Sequence, residues 1–398
     1  MTSTLWSKNT PASLWLCQPE VPKDEWQAAI QRAIPVLDLP YQPNDIDHLL
    51  ALVLGEEQFG PKHWQLSLVR RGYYVLKPLL PHPLTCFLRR LHCPSARANF
   101  PLGWPIEERY ARFQWEVMRQ LVIAAGGQSL NINHFWPNGQ RFAFILTHDI
   151  ESNEGQAFAR SVADLEESFG FRSSFNFVPE RYPLDHGLIE ELRERGFEIG
   201  VHGLKHDGKL FHSEAEFMRR VTRINAHLKA LNAVGFRSPL TMRNPAWMQS
   251  LEVEYDLSFF DTDPYEPMPG GVMSIWPFMI GHFVELPYTL IQDCTLHLVL
   301  GESTPRLWLE KVGFIERYHG MVLLNTHPDY LKKRELLKIY IEFLQAMKQK
   351  EEYWHALPRE VGRWWRQRSE GIKLGTVGIT DPNKTTFKNG RSRFEYSR

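Results

Sequence analysis

Apolar and polar positions along residues 141–350 alternate between short buried strands and longer segments with helical spacing. The pattern predicts strands at 142–147, 173–178, 197–202, 234–237, 257–260, 283–287 and 321–326. Helical spacing predicts helices at 156–169, 187–195, 214–231, 246–251, 305–318 and 331–350, with Ser213 as an N-cap. Strands that alternate with helices in this way predict a parallel sheet, either open or closed into a barrel.

Residues 1–135 do not follow this alternation. Their pattern predicts helices at 25–34, 45–54 and 111–125, and a hairpin formed by apolar runs at 66–69 and 73–76. The prolines that follow allow only one short helix, at 84–91. Its leucines, with Arg89 and Arg90, are compatible with packing on the main domain or with peripheral contact with a membrane. We therefore expect three parts: an N-terminal α/β region of unknown role (1–135), a central domain (136–353), and a C-terminal cap with a polar tail (354–398).

Composition excludes several classes of protein. The 398 residues carry no net charge and are 43% hydrophobic, which argues against disorder and against a general nucleic-acid binder. No apolar run approaches the roughly 18 residues of a membrane span, and the N-terminus lacks the pattern of a secretory signal. The four cysteines (Cys17, Cys86, Cys93 and Cys294) form no CxxC pair, so we expect reduced thiols and a cytoplasmic location.

Polar residues gather where the predicted strands end. In a barrel of parallel strands these ends share one rim, where active sites form. The residues concerned are Thr147 to Glu151 after the first strand, His202 and His206 after the third, Arg237 after the fourth, Asp261 and Asp263 after the fifth, and His327 after the last. Each alone has an ordinary structural explanation, but their coincidence at one rim indicates a functional site.

The types and spacing of these residues indicate a metal site. Two histidines four residues apart can meet one ion, and a carboxylate supplies the third protein ligand. Asp149 and Glu151 are two apart, so in extended backbone they point to the same side, and one can bind the metal while the other accepts a proton from water. His327 can approach as a general acid. This arrangement fits metal-assisted hydrolysis of an amide or an ester.

The same motifs resemble those of the polysaccharide deacetylases, the NodB-homology or carbohydrate esterase family 4 superfamily. LTHDIE resembles the first motif of that family, HGLKH its metal-binding HxxxH motif, FRSPL its arginine-proline motif, SFFDTDP its aspartate motif and LLNTHPDY its final histidine motif. All five occur in family order over residues 140–350. The resemblance implies a distorted (β/α)7 barrel, here with an added N-terminal α/β region and a short C-terminal extension. It also implies N- or O-deacetylation of a sugar or glycan.

The resemblance also implies a role for each matching residue. Glu151, His202 and His206 would hold a divalent metal, zinc in the first place, with cobalt, nickel or manganese as alternatives. Asp149 would be the base and His327 the acid. Arg237 would orient Asp149, and Asp261, with Asp263 as its rival, would orient His327. Substrate contacts would come from the backbone N–H near Leu240 and from Asp263, Glu285 and Tyr288.

The sequence departs from the family pattern at two positions. The familiar first motif has two adjacent aspartates, whereas here Ile150 separates Asp149 from Glu151, so Asp149 is a second candidate for the metal ligand. Leu240 stands where the family often has tyrosine. Two other functions stay open: hydrolysis of another non-peptide amide, and a catalytically silent module that binds glycan. The segment 354–368, with three tryptophans, fits a cap on the barrel or a sugar-binding surface.

Overall fold

The computed structural model describes residues 5–60, 63–64, 95–372 and 375–379. The predicted hairpin at 66–69 and 73–76, the basic helix at 84–91, and two of the cysteines, Cys86 and Cys93, lie outside these residues. Within the described residues, no helix combines the length and the apolar character needed to cross a bilayer.

The central sheet is built from parallel strands in the predicted order along the chain. We number strands through the chain: β1 Cys17–Gln18, β2 Leu130–Asn133, β3 Phe142–Ile150, β4 Ser174–Phe177, β5 Glu198–His202, β6 Gly235–Arg237, β7 Tyr255–Asp256, β8 Phe278–Ile280, β9 Phe283–Glu285, β10 Met321–Thr326, β11 Tyr353–His355 and β12 Thr376–Ile379. The strand order is β10-β3-β4-β5-β6-β7-β9-β8, with β11 also paired to β3. Only the β8–β9 pair of this sheet is antiparallel.

Hydrogen bonds beyond the regular strands close the sheet into a barrel. The chain that continues from β9 reaches β10, because the N–H groups of Thr289 and Leu290 both donate to the carbonyl of Leu323, at 3.2 and 3.1 Å. The Thr289 hydroxyl donates to the carbonyl of Met321 at 2.8 Å. Seven parallel strands, β3 to β7 with β9 and β10, therefore surround the core, and β11 lies beside β3 as an eighth. The predicted distorted (β/α)7 barrel is confirmed.

Helices pack on the barrel strands and, in the N-terminal region, on one another. We number them α1 Pro11–Trp15, α2 Lys23–Ala33, α3 Ile46–Val53, α4 Arg109–Ala124, α5 Asn153–Phe169, α6 His186–Glu194, α7 Glu214–Ala230, α8 Pro245–Met248, α9 Arg306–Arg317, α10 Pro328–Leu331, α11 Arg334–Lys348 and α12 Pro358–Ser369. Local sequence sets their ends. Ser152 caps α5 by accepting from Gly155 N at 3.1 Å, and Gly170 ends it with φ of 83°. Ser213 caps α7, as predicted.

The predicted strand at 257–260 is misplaced by two residues. The regular strand is β7, Tyr255–Asp256. The chain after it keeps only isolated pairing, a bond from Leu257 N–H to the Phe236 carbonyl at 2.9 Å and a bridge between Phe260 and Tyr288. Asp256 explains the irregular backbone: its carboxylate accepts hydrogen bonds from the N–H and the hydroxyl of Ser258, at 3.0 and 2.8 Å. Such local side-chain bonds compete with a strand ladder.

The two ends of the chain meet in a second sheet of three antiparallel strands, in the order β1-β2-β12. The polar tail predicted within 354–398 thus includes a strand that the sequence pattern did not predict, β12, where Val377 and Ile379 are buried. Propensity alone did not reveal this strand, because its stability comes from pairing with β2.

The tryptophan-rich segment packs inward. Helix α12 places Trp365 against Trp136, with ring centroids 5.6 Å apart, and both rings are buried. The Trp364 indole N–H donates to the carbonyl of Phe135 at 2.8 Å. These contacts favour the cap over a sugar-binding surface. The domain boundaries at 135 and 353 stay predictions.

Candidate active site

A pocket of about 80 Å³ opens at the carboxyl ends of the barrel strands. It collects most of the residues that the sequence places at this rim. The pocket is lined by Asp149, Glu151, His202, His206, Arg237, Ser238, Leu240, Thr241, Glu266, Pro267, Tyr288, Gln292, Cys294, Thr295, Asn325, His327 and Tyr330.

Glu151, His202 and His206 form a cluster of candidate metal ligands, with one donor atom from each within 4.8 Å of the others. Glu151 Oε1 lies 2.9 Å from His206 Nε2 and 3.9 Å from His202 Nε2. Both Nε2 atoms are buried and make no hydrogen bond to any residue that the structure describes. Buried polar atoms without a partner are costly unless another group satisfies them. The donor set and these two open nitrogens fit a divalent metal ion.

The backbone presents the two histidines in different ways. His202 ends β5, and its Nδ1–H donates to the carbonyl of Arg237 at 3.1 Å, which leaves the Nε2 lone pair free. His206 has a left-handed backbone with φ of 52°, in a turn where Gly203 also has positive φ. A non-glycine residue in this region is strained, and such strain concentrates at functional sites.

Asp149 lies deep in the pocket and is held by two amides that the sequence analysis did not single out. Asn176 donates to Oδ1 at 3.0 Å and Asn325 donates to Oδ2 at 2.9 Å. Arg237 Nη1 lies 3.6 Å from Oδ2, an ion-pair distance, and the orienting role of Arg237 stays a prediction. Burial alone raises the pKa of Asp149, but the charges of His202, Arg237 and His327 outweigh it and hold that pKa at about 2.

Glu151 is also ionised. Burial raises its pKa, but the nearby positive charges, that of His206 first and then that of His327, outweigh burial and leave the pKa well below its usual value. Both acids of the first motif therefore carry negative charge toward the cluster. Only Glu151 approaches a histidine Nε2 closely, because Asp149 Oδ2 is 3.9 Å from His202 Nε2.

His327 faces the same cluster from β10. Its Nε2 lies 3.8 Å from Glu151 Oε1 and 4.0 Å from Asp149 Oδ2. Its Nδ1–H donates to Asp293 Oδ1 at 2.7 Å, and its backbone N–H donates to Asp293 Oδ2 at 2.8 Å. Burial lowers the pKa of His327, but the Asp293 carboxylate overcomes this effect and raises it to about 10.

The prediction that Asp261 or Asp263 orients His327 is therefore wrong. Asp261 forms a buried ion pair with Lys311, 2.8 Å away on α9, and burial nevertheless raises the pKa of Asp261 to about 6. Asp263 accepts from Tyr265 N at 2.7 Å and is absent from the pocket lining. The partner is Asp293, whose only sequence signal is its place after the strand at 283–287.

Asp293, Cys294 and His327 form a second cluster with metal-ligand chemistry. The Asp293 carboxylate is already hydrogen-bonded. Both of its oxygens accept from His327, and Oδ1 also accepts from Cys294 N at 2.7 Å. The first cluster has open nitrogen donors, so it is the better metal site.

The residues predicted to contact substrate divide into two groups. Leu240 and Tyr288 line the pocket, and Leu240 has a left-handed backbone with φ of 59°. The Tyr288 hydroxyl donates to Glu266 at 2.7 Å, so Glu266 is a further polar residue of the pocket wall. Glu285 does not line the pocket. It is fully buried in the barrel, where its Oε1 accepts from Phe259 N at 3.1 Å, and the prediction for Glu285 is wrong.

Comparison with known proteins identifies similar structures but no similar sequence. No family model matches the chain, and no curated protein matches it. A protein named as a polysaccharide deacetylase from Mycobacterium smegmatis matches 59% of this chain and 94% of its own, at 17% identity and a TM-score of 0.48. Puue allantoinase matches 59% of this chain and 93% of its own, at 15% identity and a TM-score of 0.47.

A third similar structure is the peptidoglycan deacetylase PdaC from Bacillus subtilis. It matches 60% of this chain and 97% of its own, at 13% identity and a TM-score of 0.39. Two of these three similar structures are named as deacetylases, one of a polysaccharide and one of peptidoglycan.

Proposed function

We propose that this protein is a metal-dependent hydrolase that removes acetyl groups from an acetylated sugar or glycan, as a member of the polysaccharide deacetylase superfamily. One observation carries the proposal. The open donor cluster of Glu151, His202 and His206 lies between an ionised aspartate, Asp149, and a carboxylate-bound imidazole, His327, all on one rim. These are the groups that hydrolysis of an amide requires.

Glu151, His202 and His206 would hold the ion, and two imidazoles with one carboxylate form a donor set typical of catalytic zinc. A bound divalent ion supplies Lewis acidity, which favours ionisation of water and polarises a carbonyl. The protein prepares the ligands itself. The bond from His202 Nδ1 to the Arg237 carbonyl fixes the ring, and the low pKa of Glu151 keeps its carboxylate ready to bind.

Asp149 is the proposed base. Its carboxylate stays ionised throughout the physiological range, because its pKa is about 2. Asn176 and Asn325 hold the two oxygens in place, and Oδ2 faces both His202 and His327 at 3.9 and 4.0 Å. This position lets Asp149 accept the proton of a water molecule that attacks the acetyl carbonyl from within the cluster.

His327 is the proposed acid. Asp293 keeps the proton on Nδ1 and stabilises the positive ring, so Nε2–H is available to protonate the leaving nitrogen or oxygen. Nε2 is the ring atom that faces the cluster. The Leu240 backbone N–H would stabilise the developing oxyanion. Strain at Leu240 and Thr241, with φ of 59° and 52°, supports this role because it marks a turn held in place for function.

The test is hydrolysis of a panel of N- and O-acetylated sugars and oligosaccharides, together with small non-sugar amides, by metal-loaded protein, with acetate release as the readout for the acetylated members. We expect release that disappears with chelation and returns with zinc, cobalt, nickel or manganese. Release only from small non-sugar amides would move the function to the second class of hydrolase. Binding of glycan and metal without release from any member of the panel would identify the silent binding module. The cytoplasmic location stays a prediction of the sequence.

A further inference from the structure

We propose that Asp329 is a positioning residue that fixes the backbone of Glu151 and thereby places the Glu151 carboxylate in the metal cluster. This inference rests on the proposed function only in taking Glu151 as a metal ligand. Asp329 belongs to α10, two residues after His327, and is not one of the residues that line the pocket.

The Asp329 carboxylate joins two loops that carry the site. Its Oδ2 accepts the backbone N–H of Glu151 at 3.0 Å, and its Oδ1 accepts the hydroxyl of Ser152. Glu151 immediately follows β3, whereas Asp329 follows β10. One side chain therefore ties the loop of the proposed ligand to the loop of the proposed acid. A carboxylate that accepts a backbone N–H forms a charge-assisted bond, which is among the stronger hydrogen bonds in proteins.

The neighbouring helix is shaped to admit this carboxylate. A Cβ added at Gly155 would lie 2.1 Å from Asp329 Oδ2, so any side chain there would displace Asp329. Gly155 lies in the first turn of α5, where the helix dipole favours a negative charge. Gly155 thus leaves space for the Asp329 carboxylate, and Ser152 donates a hydrogen bond to it, next to the Glu151 backbone.

Glu151 needs this support because it comes directly after the last residue of its strand. β3 ends at Ile150, and the N–H of Glu151 donates to a side chain from another element. Without that acceptor the Glu151 backbone would lose the bond that fixes its direction. Residues that orient metal ligands in this way typically change metal affinity by about 10- to 100-fold.

The test is metal affinity measured by chelator competition on the full-length protein, with thermal stability recorded in parallel. Asp329→Ala should weaken zinc binding by about 10- to 100-fold. Asp329→Asn should keep clearly more affinity than Asp329→Ala, because its amide oxygen can still accept from Glu151 N–H and its amide nitrogen can donate to Ser152, although it lacks the charge. Gly155→Ala should weaken affinity as Asp329→Ala does. The cobalt absorption spectrum should change in both weakened variants.

Asp185→Ala is the matched control. Asp185 caps α6 by accepting from Leu188 N at 3.0 Å, so the variant loses a capping carboxylate on a nearby helix without any bond to Glu151. It should lower thermal stability and leave zinc affinity unchanged. Unchanged affinity in Asp329→Ala, or equal loss in Asp329→Ala and Asp329→Asn, would overturn the positioning role. Absence of zinc binding by the wild-type protein would instead overturn the proposed function.

Discussion

Asp293 and His327 are joined by two hydrogen bonds, one from the imidazole Nδ1–H at 2.7 Å and one from the backbone N–H at 2.8 Å. The pair is buried, and the carboxylate raises the pKa of His327 to about 10. Its geometry fixes both the ring orientation and the location of the proton. The acid of the proposed reaction thus depends on a residue 34 positions earlier in the chain.

The first prediction tests the acid itself. His327→Ala should bind metal normally and hydrolyse an amide substrate at least about 100-fold more slowly, because it lacks the group that protonates the leaving nitrogen. An activated ester with a good leaving group needs little protonation and should lose much less. The measurement is the ratio of the two rates in the variant and in the wild type. Equal losses on the two substrates would remove the acid role.

The second prediction separates Asp293 from Asp261. Asp293→Asn should reduce amide hydrolysis more than ester hydrolysis, in the same sense as His327→Ala but less strongly, since the imidazole remains. Asp261→Asn should leave the amide-to-ester ratio unchanged, because Asp261 binds Lys311 rather than His327. Steady-state rates on both substrates, at matched metal loading, decide the matter. A shifted ratio in Asp261→Asn would return the orienting role to the aspartate motif.

The third prediction concerns the metal ligands. The double variant with His202→Ala and His206→Ala should lose its bound divalent metal, because it removes both open Nε2 donors. His212→Ala is the control, since His212 is an exposed histidine outside the pocket. Elemental analysis of the purified proteins gives metal per chain. Equal metal in the double variant and the wild type would show that this cluster is not the site.

The fourth prediction distinguishes the two acids of the first motif. Asp149→Asn should retain metal and lose turnover, whereas Glu151→Gln should lose metal first, because only Glu151 approaches a histidine Nε2 to within 3 Å. Metal content and acetate release should be measured on the same preparations. The reverse pattern would make Asp149 the ligand and leave the base to be identified elsewhere.

The fifth prediction concerns pH and stability through Glu198, which is remote from the pocket. Glu198 is fully buried, where it accepts from the Tyr255 hydroxyl at 2.8 Å and from Arg359 N at 3.0 Å. Burial raises its pKa from the ordinary 4.5 to about 7. Between these two pKa values the folded state keeps a proton on Glu198 that the unfolded state has lost. The stabilisation that this proton provides is complete below pH 4.5 and is lost as pH rises through 7.

Glu198→Gln should remove this pH dependence. Relative to the variant, the wild-type free energy of unfolding should fall between pH 4.5 and 7 by an amount on the order of 3 kcal/mol. Denaturant titrations at several pH values measure the difference, with the exposed Glu252→Gln as a control that should follow the wild type. Parallel curves for wild type and Glu198→Gln would contradict the assignment.

Sequence periodicity was sufficient for most of the barrel, because each buried strand and each capped helix is encoded locally. The strand at 142–147 lies within β3, and Ser213 caps α7. Periodicity was insufficient where a strand depends on a partner far away in the chain or where a side chain bonds to the nearby backbone. β12 was missed because its stability depends on β2, and β7 was misplaced because Asp256 bonds to Ser258. Hydrophobic periodicity predicts neither the long-range pairing of the first case nor the side-chain bond of the second.

The sequence by itself determined the chemistry of the candidate site. His202 and His206 follow one strand and the Asp149–Glu151 pair ends another, so parallel strands bring them to one rim whatever the details of packing. Only the tertiary structure decided which carboxylate pairs with which basic side chain. Asp261, Asp263 and Asp293 all follow strands, but helix α9 supplies Lys311 to Asp261, and the chain after β9 turns Asp293 toward His327. Such pairings depend on distances set by packed helices and loops, which residue spacing does not specify.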